Sequence, residues 1–241
     1  LDYGSGPPAL AGVSLGIATG EILGLVGPSG AGKTSLLSVL GAARRPDAGR
    51  VAIAGRELGE LSPRKLRLLR SRLGFIHQDH RLVPNLRVHQ NVSAGRLGRL
   101  GALASLKQIL APSRKTLAEI HALLERVGIE EKLYARSDRL SGGQRQRVAI
   151  ARALYQEPGC ILADEPVASV DPARAADTLS LLTELGRERG ITLVASLHDL
   201  ELARAHFPRL VGLRGGRVVF DRASGEISEQ EFAELYALEE A

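Results

Sequence analysis

Three short apolar runs punctuate the chain: Glu21 to Val26 (E-I-L-G-L-V), Cys160 to Ala163 (C-I-L-A) and Ile191 to Ser196 (I-T-L-V-A-S). None alternates strictly between apolar and polar, so each reads as a strand buried on both faces. Around them the spacing turns helical. Ser35 to Leu40 reads as a helix, and Ser62 to Arg72 as a short basic one with Ser62 as N-cap and Pro63 in its first turn. Thr116 to Val127 is amphipathic and ends at Gly128, where glycine suits the left-handed turn that closes a helix. Arg145 to Leu154 puts apolar residues at helical spacing with arginines on the far face, and the acidic stretch Ser228 to Leu238 reads as a terminal helix. From Leu140 to about Val219 strands and helices alternate, which predicts a parallel sheet in an α/β fold.

Directly after the first buried run the chain reads Gly27-Pro28-Ser29-Gly30-Ala31-Gly32-Lys33-Thr34, and a helical pattern follows. Strand, glycine-rich loop and helix in that order make a phosphate-binding loop. Successive backbone N–H groups and the helix N-terminus form an anion cradle, Lys33 reaches the outer phosphates, and the Thr34 hydroxyl is the candidate magnesium ligand.

Further along stands Leu140-Ser141-Gly142-Gly143-Gln144, heading the arginine-rich helix. Alone, this string could be a loop whose Ser141 caps a helix. Coupled to the phosphate loop, and followed by the strand ending in Asp164 and Glu165, it resembles the ATP-binding-cassette family. The resemblance implies a P-loop NTPase cassette: a RecA-like parallel-sheet core with an antiparallel β portion, over 1–78 and 140–241, and an inserted helical subdomain over about 79–139. Residues 1 to about 55 are then expected to hold the antiparallel portion, which leads into the phosphate loop.

The remaining landmarks carry implied roles. Asp164 would hold magnesium, and Glu165 would orient or deprotonate the attacking water. Gln78, in Gly74-Phe75-Ile76-His77-Gln78-Asp79-His80, resembles the Q-loop that approaches magnesium and water. His198, just past the third strand, matches the switch histidine, at a strand carboxyl end where ligands of open α/β sheets gather. Ser169-Val170-Asp171 matches the D-loop, with valine where leucine is commoner. Tyr3 is the candidate for stacking on adenine, an ordinary surface tyrosine being its rival. His77 and His80 read as loop residues without metal, because no paired ligand spacing accompanies them.

Within that family, Asn91 to Gly98, the insertion after it, Asp164 to Ser169 and Val211 to Arg214 are similar to the ATPase subunits of phosphonate importers. Asp199 after His198, and His77 and Asp79 beside Gln78, depart from the usual residues. The resemblance implies ATP and Mg2+ as cofactors. It implies a second copy of the chain, with Ser141 to Gln144 of one subunit meeting nucleotide held by the other, and two membrane permease subunits served by an external solute-binding protein. The implied place is the cytoplasmic face of the inner membrane, held peripherally. Two alternatives are a soluble cassette assisting phosphonate breakdown and a cassette serving an importer or exporter of another solute. A DNA-repair ATPase would need a long coiled coil between Gln78 and Leu140, where there is no room for one.

Composition sets limits. No stretch approaches the roughly 20 apolar residues of a membrane span, no signal peptide opens the chain, and one cysteine suits a reducing compartment. The chain has no methionine, so Leu1 is not expected to be a native start. Net charge is +5, and residues 79 to 139 alone hold 11 Lys or Arg against 6 Asp or Glu. Within Gly95 to Lys115 there are 5 basic residues and no acid, interleaved with leucine and alanine. A nucleic-acid patch, a membrane- or permease-facing surface and a solvated helix face all fit such a pattern. The absence of aromatics for base stacking favours the second, and no nucleic-acid partner is expected.

Overall fold

The computed structural model describes residues 1–2, 4, 8–168 and 171–237. In chain order its elements are β1 (Ile22–Val26), α1 (Lys33–Leu40), β2 (Ala52–Ile53), β3 (Arg56–Glu57), α2 (Pro63–Arg70), β4 (Leu73–Ile76) and α3 (Val88–Ser93). There follow α4 (Ala102–Leu110), α5 (Arg114–Arg126), α6 (Gly142–Tyr155), β5 (Cys160–Ala163) and α7 (Pro172–Arg189). The last are β6 (Thr192–Leu197), α8 (Leu200–His206), β7 (Arg209–Arg214), β8 (Arg217–Ala223) and α9 (Glu229–Tyr236).

A six-stranded sheet in the order β4-β5-β6-β1-β7-β8 forms the centre. Its first five strands are parallel, and β8 returns antiparallel to β7. β1 and β6 are buried along their whole length, as the unbroken apolar runs require of strands covered on both faces. One sheet face packs on α1 through Leu23, Leu25, Leu36, Leu37, Leu162 and Val194. A second and larger cluster joins the opposite face to the interior of the helical region, where Val88, Val92, Ile120, Leu124, Val148 and Ile150 meet.

The helix ends follow the capping residues. Ser62, Ser113, Ser141 and Ser228 each accept a backbone N–H from the first turn they cap, which satisfies donors that have no partner inside the helix. Cap geometry also moves α5 earlier than its apolar periodicity suggests: Ser113 fixes the start at Arg114, two residues before Thr116. Helix α4 lies inside the basic stretch that periodicity alone left without an element.

The antiparallel portion expected over residues 1 to 55 is smaller than anticipated. It comprises the hairpin β2–β3, and the described residues ahead of β1 contain no strand. Burial from Val13 to Ile17 does alternate with period two. Strand geometry also needs a hydrogen-bonded neighbour along its length, and the pairing seen here is confined to Leu1 with Leu10 and Ala11 with Gly216.

Candidate active site

Because β4, β5, β6 and β1 run parallel and in register, their carboxyl ends share one edge: Ile76 pairs with Ala163, Ala163 with Ala195, and Val26 with Leu197. The next residues along each strand are the predicted ones. Gln78 follows β4, Asp164 and Glu165 follow β5, His198 follows β6, and Gly27 follows β1. This is the sheet edge at which open α/β folds bind ligands.

The loop from Gly27 to Thr34 is shaped by glycines that no other residue could replace. Gly27 and Gly32 have φ of 149° and 102°. A Cβ on Gly27 would come within 2.1 Å of the Leu213 carbonyl oxygen, and one on Gly32 within 2.5 Å of the Ala9 oxygen. The Ala31 amide donates to the Pro28 carbonyl at 3.2 Å, while Ser29 and Gly30 are exposed at the tip. Helix α1 has neither a side-chain cap nor an acid in its first turn, so its positive end is open to an anion.

The buried Lys33 ammonium donates to the carbonyls of Gly27 at 2.6 Å and Pro28 at 3.0 Å. Burial pushes its pKa below the ordinary lysine value, while the Glu165 and Asp164 carboxylates pull it back up. Thr34 donates its hydroxyl to Asp164 Oδ1 at 3.1 Å, which brings together two of the three residues expected at magnesium. A hydroxyl and a carboxylate are hard oxygen donors of the kind magnesium takes alongside phosphate and water. No group of three or more His, Cys, Asp or Glu clusters as a self-sufficient metal site among the described residues. The third expected ligand, Gln78, is exposed just past the end of β4.

Ser196 was not anticipated from sequence. Its hydroxyl, wholly buried, donates to Asp164 Oδ1 at 2.9 Å and accepts the Glu165 amide at 2.9 Å. Both acids are thereby fixed from the neighbouring strand. A serine inside the apolar run T-L-V-A-S-L was the available signal, since a buried hydroxyl must find partners. Glu165 itself has φ of 47°, a left-handed backbone that a non-glycine residue holds only when its surroundings impose it. Its side chain contacts His198 through Oε1 and the imidazole Nε2, so the predicted base and switch residue form a pair.

Tyr236 is the second unanticipated residue. From the far end of α9 its hydroxyl accepts the Gly27 amide and donates to the His198 carbonyl. Burial raises its pKa, and Asp199 adds to the effect while the Gly27 bond opposes it.

The remaining candidates are separate. Ser141 and Gln144 close a reciprocal capping box at the start of α6, and added side chains at Gly142 and Gly143 would meet open space. The side-chain bonds of Ser141 and Gln144 stay within their own turn. Asp171 caps α7 by accepting the Arg174 amide at 3.1 Å. Tyr3, Ser169 and Val170 lie outside the described residues. Arg96 and Arg99, counted in the basic stretch, are held structurally: Arg96 binds the Tyr155 carbonyl, Glu119 and Glu157, and Arg99 binds the Ser71 and Glu157 carbonyls.

A phosphate loop, two strand-end acids, a histidine on the second acid and a helix headed by S-G-G-Q define a nucleotide-hydrolysing cassette. The family model for ABC transporters matches residues 10–168, and the chain belongs to that family, as an ATPase cassette. Over 240 residues it is 48% identical to the phosphonates import ATP-binding protein PhnC 2 of Pseudomonas aeruginosa (strain UCBPP-PA14), covering 100% of this chain and 89% of that protein. Among solved structures, the dimeric bacterial ABC transporter cassette MJ0796 superposes with a TM-score of 0.81 at 31% identity, over 92% of this chain and 94% of that one. The same cassette in a post-hydrolysis dimer bound to ADP and Pi gives 0.77 at 31% identity, over 93% and 94%.

Proposed function

We propose that this chain is the ATP-hydrolysing subunit of an importer for phosphonates or a related phosphorus oxyanion. One observation carries the hydrolytic part: Lys33, the Thr34–Asp164 pair and the Glu165–His198 pair share one sheet edge. The solute class rests on similarity along the whole chain to phosphonate-import ATP-binding proteins. A cassette serving another solute would share the site and differ in its partners.

In this reading the loop Gly27 to Thr34 encloses the ATP phosphates, with Lys33 against the outermost. Thr34 and Asp164 would hold Mg2+, with Gln78 as a third ligand, and the ion would supply charge neutralisation for the leaving phosphates. Glu165 accepts the proton of the attacking water, and His198 keeps that carboxylate in place and faces the transferred phosphoryl group. Tyr3 would stack on adenine. Ser141 is exposed, and the side chains of Ser141 and Gln144 bond within their own turn, which suits a loop that completes the site of a second copy, with Asp171 alongside. Two such copies form an isologous dimer. The helical region 79–139 would carry the state of the site to two permease subunits, which a solute-binding protein supplies. The chain would thus sit peripherally at the cytoplasmic face of the inner membrane; no described helix is long and apolar enough to cross it.

The Glu165→Gln variant tests the mechanism. It should retain ATP yet lose about a hundredfold or more in hydrolysis, and should dimerise with ATP and magnesium on size-exclusion chromatography unless Ser141→Arg is added. Normal hydrolysis in the variant removes Glu165 from the role. For the solute, the chain with its permease and binding protein should restore growth on a phosphonate as sole phosphorus source in cells lacking their own importer, and failure there alone rejects the solute class.

A further inference from the structure

Helix α4 is mounted with its apolar side outward. Its inward side carries Ser105, Gln108 and Ile109, all half-buried: Gln108 donates to the Ser93 carbonyl at 3.2 Å, and Gln90 of α3 donates to the Ile109 carbonyl at 3.2 Å. None of its residues is buried. Leu103, Leu106 and Leu110, three and four positions apart on one face, are 86%, 56% and 68% exposed. Helix α2 meets the segment just ahead of α4, where Arg67 donates to the carbonyls of Gly98 and Leu100 at 3.2 and 3.0 Å; its own Leu68 is 49% exposed. A row of large apolar side chains left in water in this way marks a surface that something covers.

The charge around the row that lacks an ion-pair partner among the described residues is positive. Arg96 and Arg99 are ion-paired with Glu119 and Glu157. Lys107, Arg114 and Lys115, with Arg64 and Lys65 of α2, are exposed, and they have no carboxylate partner among the described residues. We propose that α4 is a membrane-surface helix that binds anionic phospholipid, with Leu103, Leu106 and Leu110 entering the headgroup–acyl boundary and the cations meeting lipid phosphates. Protruding leucines ringed by cations are the arrangement of an interfacial helix. A protein partner would have to supply both an apolar groove fitted to this row and a rim of acids, whereas a bilayer conforms to it. The inference rests on the importer reading only in that such a subunit works beside a membrane.

Flotation of the purified chain with vesicles tests it without any transport step. The chain should float with phosphatidylglycerol–phosphatidylcholine vesicles, release as salt rises, and stay unbound with phosphatidylcholine alone. Leu103→Ser, Leu106→Ser and Leu110→Ser together should weaken binding about tenfold or more. Thermal unfolding and soluble ATP hydrolysis should match the parent, since the three side chains are exposed and remote from the phosphate loop in sequence. Failure of the parent to float, or equal flotation of parent and variant, overturns the proposal. If the parent does not float and the variant instead loses recovery with the permease subunits, the row is a protein-docking surface. A chain that floats but does not restore phosphonate uptake leaves the lipid site standing and rejects the phosphonate class.

Discussion

Tyr236 accepts the amide proton of Gly27 at 3.1 Å, and the same hydroxyl donates to the carbonyl of His198 at 3.4 Å. The residues it joins are the first of the phosphate loop and the switch position, which directly follow the adjacent strands β1 and β6. The C-terminal helix is therefore built into the site, with the Arg214 side chain holding the Glu234 carbonyl just ahead of the tyrosine.

Tyr236→Phe keeps the ring and deletes both bonds. Each such bond contributes about 0.5 to 1.5 kcal/mol, so kcat for ATP should fall roughly fivefold, with KM changed by less than about twofold, because no nucleotide contact is removed. A matching loss in KM, or unchanged kcat, would place the tyrosine in simple packing.

Ser196→Ala removes the one hydroxyl that serves both Asp164 and the Glu165 amide inside a dry strand. Leaving buried partners unsatisfied costs about 1 to 3 kcal/mol. Urea denaturation should show a loss of that size with an unchanged m-value, together with slower hydrolysis. Stability equal to the parent would mean that water replaces the hydroxyl.

Lys33→Ala deletes the cation that the loop directs at the outer phosphates. Losing one buried charge-assisted contact costs about 2 to 5 kcal/mol, so titration with ATP should show affinity reduced by well over tenfold. The variant should stay folded, since among the described residues the ammonium donates hydrogen bonds to loop carbonyls and to no distant element. ATP affinity equal to the parent's would separate the loop from nucleotide binding.

Burial in β5 pushes the Cys160 thiol up to about 12. Only the thiolate reacts, and at pH 8 its fraction is about 10⁻⁴, against about a quarter for an ordinary thiol near 8.5. Alkylation of the native chain should then be roughly a thousandfold slower than that of a free cysteine, rising with pH up to about 12 and becoming fast on unfolding in denaturant. Fast modification of the folded chain at pH 8 would show that β5 opens readily.

What the sequence determined by itself is what a few consecutive residues dictate. Glycines at positions 27 and 32, an unbroken apolar run before them and a helical pattern after them specify a strand, an anion loop and a helix, because backbone sterics act over a handful of bonds. Serines placed as N-caps located α2 and α6, and strands ending in Asp164 and at His198 marked the sheet edge that holds the site. Tertiary structure decided what depends on the order of strands in space. The Gly27–Tyr236 bond spans 209 residues. Ser196 reaches Asp164 because β5 and β6 are neighbours, which no local pattern states. Leucines at helical spacing in α4 are compatible with either an inward or an outward face, and Arg96 and Arg99 count as surface charge until Glu119 and Glu157 are placed against them. Local geometry is encoded by propensity and capping; partnership between distant side chains is settled only when burial and sheet order bring them within hydrogen-bonding reach.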